Sequence, residues 1–155
     1  MSTPLYDNRL SLLSIDGVTI PEGSDDKMTI TRQPEVRFGA AVGGQPPPVE
    51  WVGNPQVEIS VPAGALTVAN KLLAAAAAEC FAAGSNSAGA ATTFRDVVAV
   101  TGDGRRFTGR GYVMAPTEFA EANATPTRAY MILIPNCAFD SSGVASALAN
   151  AGVIA

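Results

Sequence analysis

The stretch QVEISVPAGALTVANKLLAAAAAECFAAG, residues 56–84, contains the signals of a strand, a turn and a helix in immediate succession. Its first six residues alternate between polar and apolar side chains, which is the period-two pattern of a strand with one apolar face. Pro62 and Gly64 interrupt this pattern, because proline lacks the ladder donor and glycine permits a sharp change of direction. The stretch therefore predicts a β-strand that turns directly into a helix.

Residues 67–83 are predicted to form the one long helix of the chain. The Thr67 hydroxyl is suited to cap its first turn, and Gly84 suits a left-handed C-terminal cap. Lys71, Ala75 and Glu79 fall on one side, which we expect to be exposed. The apolar positions form two adjacent rows that we expect to face a sheet, with Val68, Leu72, Ala76 and Cys80 in one row and Leu73, Ala77 and Phe81 in the other.

Turn and strand signals dominate the rest of the chain. Asp16-Gly17 marks a tight turn, and the segments 94–101 and 106–114 form the best hairpin pattern in the sequence. Gly109 and Gly111 share one face of that hairpin and let another segment approach closely. Further strands are expected at 8–15, 18–20, 28–31 and 129–134. These patterns predict a mainly β fold: a β-sandwich or rolled barrel of two antiparallel sheets with one packed α-helix.

Length and charge narrow the function classes. The 155 residues predict a single domain over 1–155, with a small-residue C-terminal tail at 141–155 that has a weak helical pattern from Val144. Ten basic and fourteen acidic residues give a net charge of −4, which disfavours a protein that grips nucleic acid. Neither an 18-residue apolar run nor a secretory pattern at the start is present, so we expect no membrane partner.

The segment from 33 to 55, QPEVRFGAAVGGQPPPVEWVGNP, differs from the rest because it combines prolines and glycines with large apolar residues. A connection of this length without structure of its own is unusual inside a compact domain, and it points to a function or to ordering by a partner. The alternative is a hairpin packed on its own domain. The residues that would anchor such a loop are Val36, Arg37, Phe38, Val49 and Trp51.

The residues offer little basis for catalysis or metal binding. The chain has no histidine, which removes the usual general base and the commonest metal ligand. The two cysteines, Cys80 and Cys137, are too few for a zinc site, and the sequence leaves open whether they are free thiols or a disulfide. Neither a P-loop nor a nucleophile elbow is present. We therefore expect no enzyme activity, no catalytic residues, no metal site and no cofactor.

Two charged clusters have a surface interpretation and a binding interpretation. Asp25 and Asp26 are adjacent in a polar segment, where consecutive acids usually indicate solvation, whereas a calcium loop needs more oxygen ligands at set spacings. Arg105, Arg106 and Arg110 lie on the hairpin and have the charge to contact phosphate. The alternative is an exposed turn whose arginines pair with Asp103 and Asp96. The excess of acidic over basic residues in the chain favours this alternative.

The order of these elements, over about residues 10–135, resembles that of bacteriophage tail tube proteins. The resemblance is greatest to the small tube proteins of contractile-tailed phages, a group similar to the type VI secretion tube protein. Four stretches carry it: IDGVTI (15–20), MTITRQPEVRFGAAVGGQ (28–45), VEISVPAGALTVANKLL (57–73) and DVVAVTGDGRRFTGRGYVMAP (96–116). The PPP of the long loop, the alanine run of the helix and the alanine-rich tail depart from the family pattern.

The resemblance implies a structural subunit of a tail tube. Six copies would form a ring whose inner strands join into a β-barrel, and stacked rings would form the conduit for DNA ejection. The loop at 33–55 would reach a neighbouring subunit or ring. Glu58 and Asp96, which lie on predicted strands, are the candidate acids facing the lumen, where negative charge would let DNA pass without specific binding.

The same resemblance implies the partners and the location. Sheath, baseplate and terminator proteins would contact the tube, which would assemble in the bacterial host cytoplasm and end in the tail of the virion. Two alternatives remain: another virion component, such as a capsid decoration or tail terminator protein, and a soluble binding module with a concave apolar pocket.

Overall fold

The fold is known from a computed structural model, which describes residues 11–22, 28–51, 53–84, 94–121 and 124–144. It contains one helix and ten strands in these ranges. In chain order they are β1 (Leu12–Ile15), β2 (Val18–Thr19), β3 (Thr29–Arg32), β4 (Val36–Phe38), β5 (Val49–Trp51), β6 (Val57–Gly64), α1 (Val68–Gly84), β7 (Arg95–Val100), β8 (Arg106–Met114), β9 (Thr127–Ile134) and β10 (Ala138–Asp140).

Eight of the strands form one antiparallel sheet in the order β2-β1-β7-β8-β9-β6-β3, with β10 paired to the other side of β8. Strand β8 belongs to both halves of this sheet. Its residues 106–111 pair with β7, and its last three residues, 112–114, pair with β9. The sheet therefore bends along β8, and its two halves face each other across a common core.

Two glycines allow this bend. A Cβ atom on Gly109 would lie 2.5 Å from Ile134 Cγ2 and 2.9 Å from the carbonyl oxygen of Asn136. A Cβ atom on Gly111 would lie 3.0 Å from both Ile132 Cγ2 and Val97 Cγ2. The close approach expected from their spacing is thus present, because β9 and the turn after it cross directly over these two positions.

Helix α1 packs against β8 and β6 on the inner face of the sheet. The Thr67 side chain caps it, as predicted, by accepting a hydrogen bond from the backbone N–H of Asn70 at 3.3 Å. The Asn70 side chain in turn accepts a bond from the Tyr130 hydroxyl at 2.6 Å, which ties the helix start to β9. The core beneath is formed by Leu13, Ile15, Ile20, Val57, Ile59, Val61, Ala63, Ala69, Leu73, Ala77, Cys80, Val97, Ala99, Phe107, Val113, Tyr130, Ile132, Ile134 and Cys137.

The predicted class, mainly β with one packed helix, is confirmed. Helix α1 matches the predicted range to within one residue, and the Lys71, Ala75 and Glu79 side is exposed. The rolled sheet stays open, because β2 and β3 end its strand order and no pairing joins them within the described residues.

Four details differ from the sequence prediction. Strand β6 does not stop at Pro62 but continues to Gly64, since both residues pair with β9. Val68 and Phe81, placed in the inward rows of the helix, are 61% and 72% exposed, because the buried stripe runs along Ala69, Leu73, Ala77 and Cys80 and these two residues lie beside it. Strand β10 was not predicted, since three residues give too short a pattern. The start of the first predicted strand, residues 8–10, and the tail beyond residue 144 lie outside the described residues.

Candidate assembly surfaces

The segment at 33–55 contains a second, two-stranded sheet formed by β4 and β5. We call residues 36–51 the arm. Val36 pairs with Trp51 and Phe38 with Val49, so these four side chains share one face of the hairpin. Arg37 and Glu50 pair on the opposite face, with Arg37 Nε 3.8 Å from Glu50 Oε2. The arm is therefore amphipathic, with one fully apolar face.

The described residues of the chain leave this apolar face uncovered. Phe38 is 66% exposed, Val49 61% and Trp51 72%, and only Val36 at the base is half-buried. This arrangement differs from both sequence interpretations, since the segment has its own strands and yet does not pack on its own domain. It places the five predicted anchor residues together on one projecting element.

The far end of the arm is held by its own backbone. The N–H of Gly39 donates to the carbonyl of Pro48 at 2.8 Å, and the N–H of Gln45 donates to Val42 at 3.0 Å. Gly43 and Gly44 have φ angles of 58° and 78°, which glycine adopts at little cost. The arm is consequently a preformed hairpin that projects its apolar side chains into solvent.

The two candidate lumen acids lie on the same face of the large sheet. Glu58 of β6 pairs with Leu133 of β9, and Leu133 also pairs with Tyr112 of β8. Arg110, two residues before Tyr112 on β8, pairs with Asp96 of β7. Because cross-strand partners and alternate residues share a face, this series connects Glu58 to Asp96 on the side that points away from the buried Ile59 and Val97. We call this side the open face of the sheet.

Arginines accompany the acids on the open face. Arg110 lies directly opposite Asp96 and donates to the carbonyl of Phe94 at 3.0 Å. Arg106 lies on the same face of β8, opposite Asp140 of β10. Arg105, in the turn before β8, has its Nε 3.2 Å from Asp103 Oδ2. Each arginine of this cluster thus lies next to an acidic residue at the surface. The open face therefore carries charges of both signs.

A third surface was not found from the sequence. An apolar groove of about 600 Å³ runs between α1 and the end of β8. Phe81, Met114 and Phe119 line it and are 72%, 37% and 61% exposed. We call it the α1–β8 groove. The other lining residues are Ala74, Ala77, Ala78, Tyr112, Val113, Ala115, Pro116 and Tyr130, so none of the described residues that line it is charged.

One wall of this groove comes from the loop after β8. The Arg128 guanidinium lies over the Phe119 ring, 5.2 Å from its centroid, and donates to the carbonyl of Ala120 at 3.1 Å. Phe119 is the only aromatic residue in the acidic loop after β8. That pattern is the one signal in the sequence from which this wall of the groove could have been predicted. Ala74, Ala77 and Ala78 of α1 leave room for the groove because their side chains are short.

Both cysteines are buried and free in the structure. Burial raises the pKa of the Cys137 thiol, although a backbone hydrogen bond from Thr108 and the charge of Arg32 act in the opposite direction. Cys80 lies on the inner side of α1. Both thiols therefore belong to the core.

The described residues hold no group of three or more histidine, cysteine or acidic side chains placed to bind a metal ion. Asp25 and Asp26 lie outside the described residues. Among the helical residues of the structure, none form a segment both long and apolar enough to cross a membrane.

No protein-family model and no curated protein sequence matches the chain. Solved structures do. A chain in the virion of a native gene transfer agent particle matches with a TM-score of 0.53 and 12% identity, covering 86% of this chain and 98% of that one. A chain in the cap that terminates the tube of the anti-feeding prophage matches with a TM-score of 0.51 and 8% identity, covering 92% and 95%.

The chain shares its fold with a chain of a virion and with a chain of a tube-terminating cap. At these identities the matches concern the fold alone, and they extend over nearly the whole of each matched chain. The resemblance inferred from the order of strands, long loop, helix and hairpin is therefore confirmed at the level of the fold.

Proposed function

We propose that this chain is the structural subunit of a phage-tail-like tube. The observation that carries the proposal is the fold it shares, over most of its length, with chains of a virion and of a tube cap. The preformed arm supports the proposal further, because a projecting apolar hairpin has a use in an assembly and is a liability in a monomer. In this function the chain self-associates and meets other tail components, including sheath, baseplate and terminator proteins.

In the proposed assembly six copies form a ring and the rings stack. The open edges of the large sheet, β2 and β3, are the strands through which neighbouring copies extend the sheet around a ring. The arm contacts a neighbouring copy. The tube assembles in the host cytoplasm and becomes part of the virion tail, through which DNA leaves.

The open face of the sheet, with Glu58 and Asp96, is the proposed lining of the lumen. Arg110 and Arg106 reduce the negative charge of this face, so weak DNA binding depends on the balance of the two signs. The net charge of −4 per chain still favours repulsion of phosphate over attraction. Under this proposal DNA passes along the wall without specific contacts.

Negative-stain electron microscopy of the purified chain at high concentration tests the proposal. Hollow rods or stacked six-fold rings are the expected result. Particles with the mass of one or three chains at every concentration would contradict it.

A tail terminator is the second candidate, and the match to a tube-terminating cap favours it specifically. A terminator forms a single ring and stops, whereas a tube subunit adds ring upon ring. The same micrographs therefore separate the two, because single rings that never stack identify a terminator.

A further inference from the structure

Within the proposed tube, we propose that the apolar face of the arm docks in the α1–β8 groove of a neighbouring copy of this chain. The arm supplies Phe38 and Trp51, and the groove supplies Phe81, Met114 and Phe119. This inference rests on the proposed function and adds to it by naming the receiving surface.

The arm requires a cover that the described part of its own chain does not provide. A two-stranded hairpin with nothing packed on it is marginal in water. Yet the arm has regular pairing at three positions and a complete apolar face of two aromatic and two β-branched side chains. Such a face gains its stability when a partner removes it from water.

The groove has the chemistry that this face requires. Its lining is apolar and aromatic, so it offers no partner to an ion and favours an aromatic segment. The methionine and the three alanines of α1 allow close, adaptable packing around bulky rings. Other exposed apolar residues, such as Leu66 and Val18, do not line it.

The arm and the groove of one molecule lie beside different parts of β9. Ile134 ends this strand, and Met131 lies three residues earlier, about 10 Å away. The arm joins the sheet where Val57 pairs with Ile134, whereas the groove lies where Met114 pairs with Met131. The exposure of Phe38 and Trp51 shows directly that the arm does not fill its own groove. If an arm occupies the groove, it is therefore the arm of another copy.

The size of the contact points to a repeating arrangement. Two aromatic side chains bury about 300–500 Å² at about 150–250 Å² each, and the groove loses a similar area. A stable pair of proteins buries about 1,200–2,000 Å², so one such contact does not hold a dimer. Since the two surfaces differ, the contact is head-to-tail, and every copy in a ring or stack makes it twice.

Residues 145–155 of the chain are the competing occupant of the groove. They follow Val144, and the adjacent Gly143 packs against Gly104 in the turn before β8. The groove lies at the other end of β8, about 26 Å away for a nine-residue strand. That placement favours the arm of a neighbour.

Paired cysteines and a short bis-maleimide test the docking. Val49→Cys on the arm and Ala78→Cys in the groove are small changes that keep the aromatic anchors. The double variant at high concentration is expected to give a ladder of crosslinked chains, with each single variant stopping at the dimer or below. The matched control is Val49→Cys with Ala75→Cys, which lies on the same helix but not in the groove. Both native thiols are buried.

A ladder from the groove pair and none from the control supports the docking. Equal ladders, or no ladder from either pair, would overturn it, whatever the micrographs of the wild-type chain show. Tubes without the ladder would support the proposed function and contradict the docking. A ladder without tubes would support the docking and contradict the proposed function.

A labelling experiment distinguishes the competing occupant. In dilute monomer, Ala78→Cys is expected to react with maleimide at the same rate with or without residues 145–155. Slow labelling that speeds up several-fold after their removal would show that the chain's own tail fills the groove, and would overturn the proposal.

Discussion

At the scale of single residues, the two glycines of β8 set how closely β9 packs across the bend. Gly109 faces a backbone carbonyl oxygen as well as Ile134, whereas Gly111 faces only the ends of aliphatic side chains. A side chain yields by a small rotation, but a carbonyl moves only with its strand. The two positions therefore differ in tolerance although they are two residues apart.

We expect Gly109→Ala to destabilise the fold by about 1–3 kcal/mol, as overpacking of a core does. Gly111→Ala is expected to cost less, because Ile132 and Val97 need to shift only slightly. Urea unfolding followed by circular dichroism gives both free energies of unfolding. A larger loss for Gly111→Ala would show that the crossing is looser at Asn136 than the structure indicates.

The carboxyl group of Asp103 is expected to make the stability of the fold depend on pH. A hydrogen bond from the Thr101 hydroxyl and the nearby Arg105 guanidinium hold the pKa of its carboxyl below the ordinary value. A carboxyl with a lowered folded pKa stabilises the fold above its unfolded pKa of about 4, and this contribution is lost as the pH falls through the folded pKa.

The urea midpoint of Asp103→Asn is therefore expected to lie below wild type at pH 7 and to approach it at pH 2. Thr101→Val, which removes the largest cause, should show part of the same trend. A midpoint difference that is independent of pH would mean that the turn geometry, and not the charge, is responsible.

At the scale of elements, the start of α1 depends on one hydroxyl. Thr67 Oγ1 accepts from Asn70 N–H and donates to the carbonyl of Gly64 at 2.7 Å. We expect Thr67→Ala to lower the free energy of unfolding by about 1 kcal/mol and Thr67→Ser to retain most of it. Thermal unfolding of the three proteins checks this, and equal losses for both variants would point to the lost methyl group instead.

Local patterns in the sequence predicted the elements of this fold better than they predicted its surfaces. The β6–α1 unit and the β7–β8 hairpin came from periodicity, capping and turn residues within a few positions of each other. The groove joins α1, β8 and the loop at Phe119, which only the folded chain brings together. Likewise, Phe81 is exposed while the adjacent Cys80 is buried, which depends on how the helix is rotated against the sheet. The sequence of the helix does not contain that information.

At the scale of the whole molecule, we expect the arm to be needed for assembly but not for folding. Its aromatic side chains contribute little to the core because they are mostly exposed. We expect the double variant Phe38→Ser/Trp51→Ser to melt within a few degrees of the wild-type monomer and to lose its rods or rings in micrographs. Removal of residues 38–51 is expected to do the same.

Circular dichroism melting of dilute samples supplies the control for that prediction. A large fall in melting temperature for either variant would show that the arm belongs to the core of the fold. Rods of normal appearance from a well-folded variant would show that assembly uses other surfaces.

Strand β8 hydrogen-bonds to β7 and β10 along its first residues and to β9 along its last, so it is a member of both halves of the sheet. Opening of either half therefore removes hydrogen-bond partners from β8. The amides of β8 are therefore expected to exchange with deuterium only through global unfolding. In a tube, such a subunit has no half that unfolds separately from the other. We therefore expect it to resist axial tension as one rigid body.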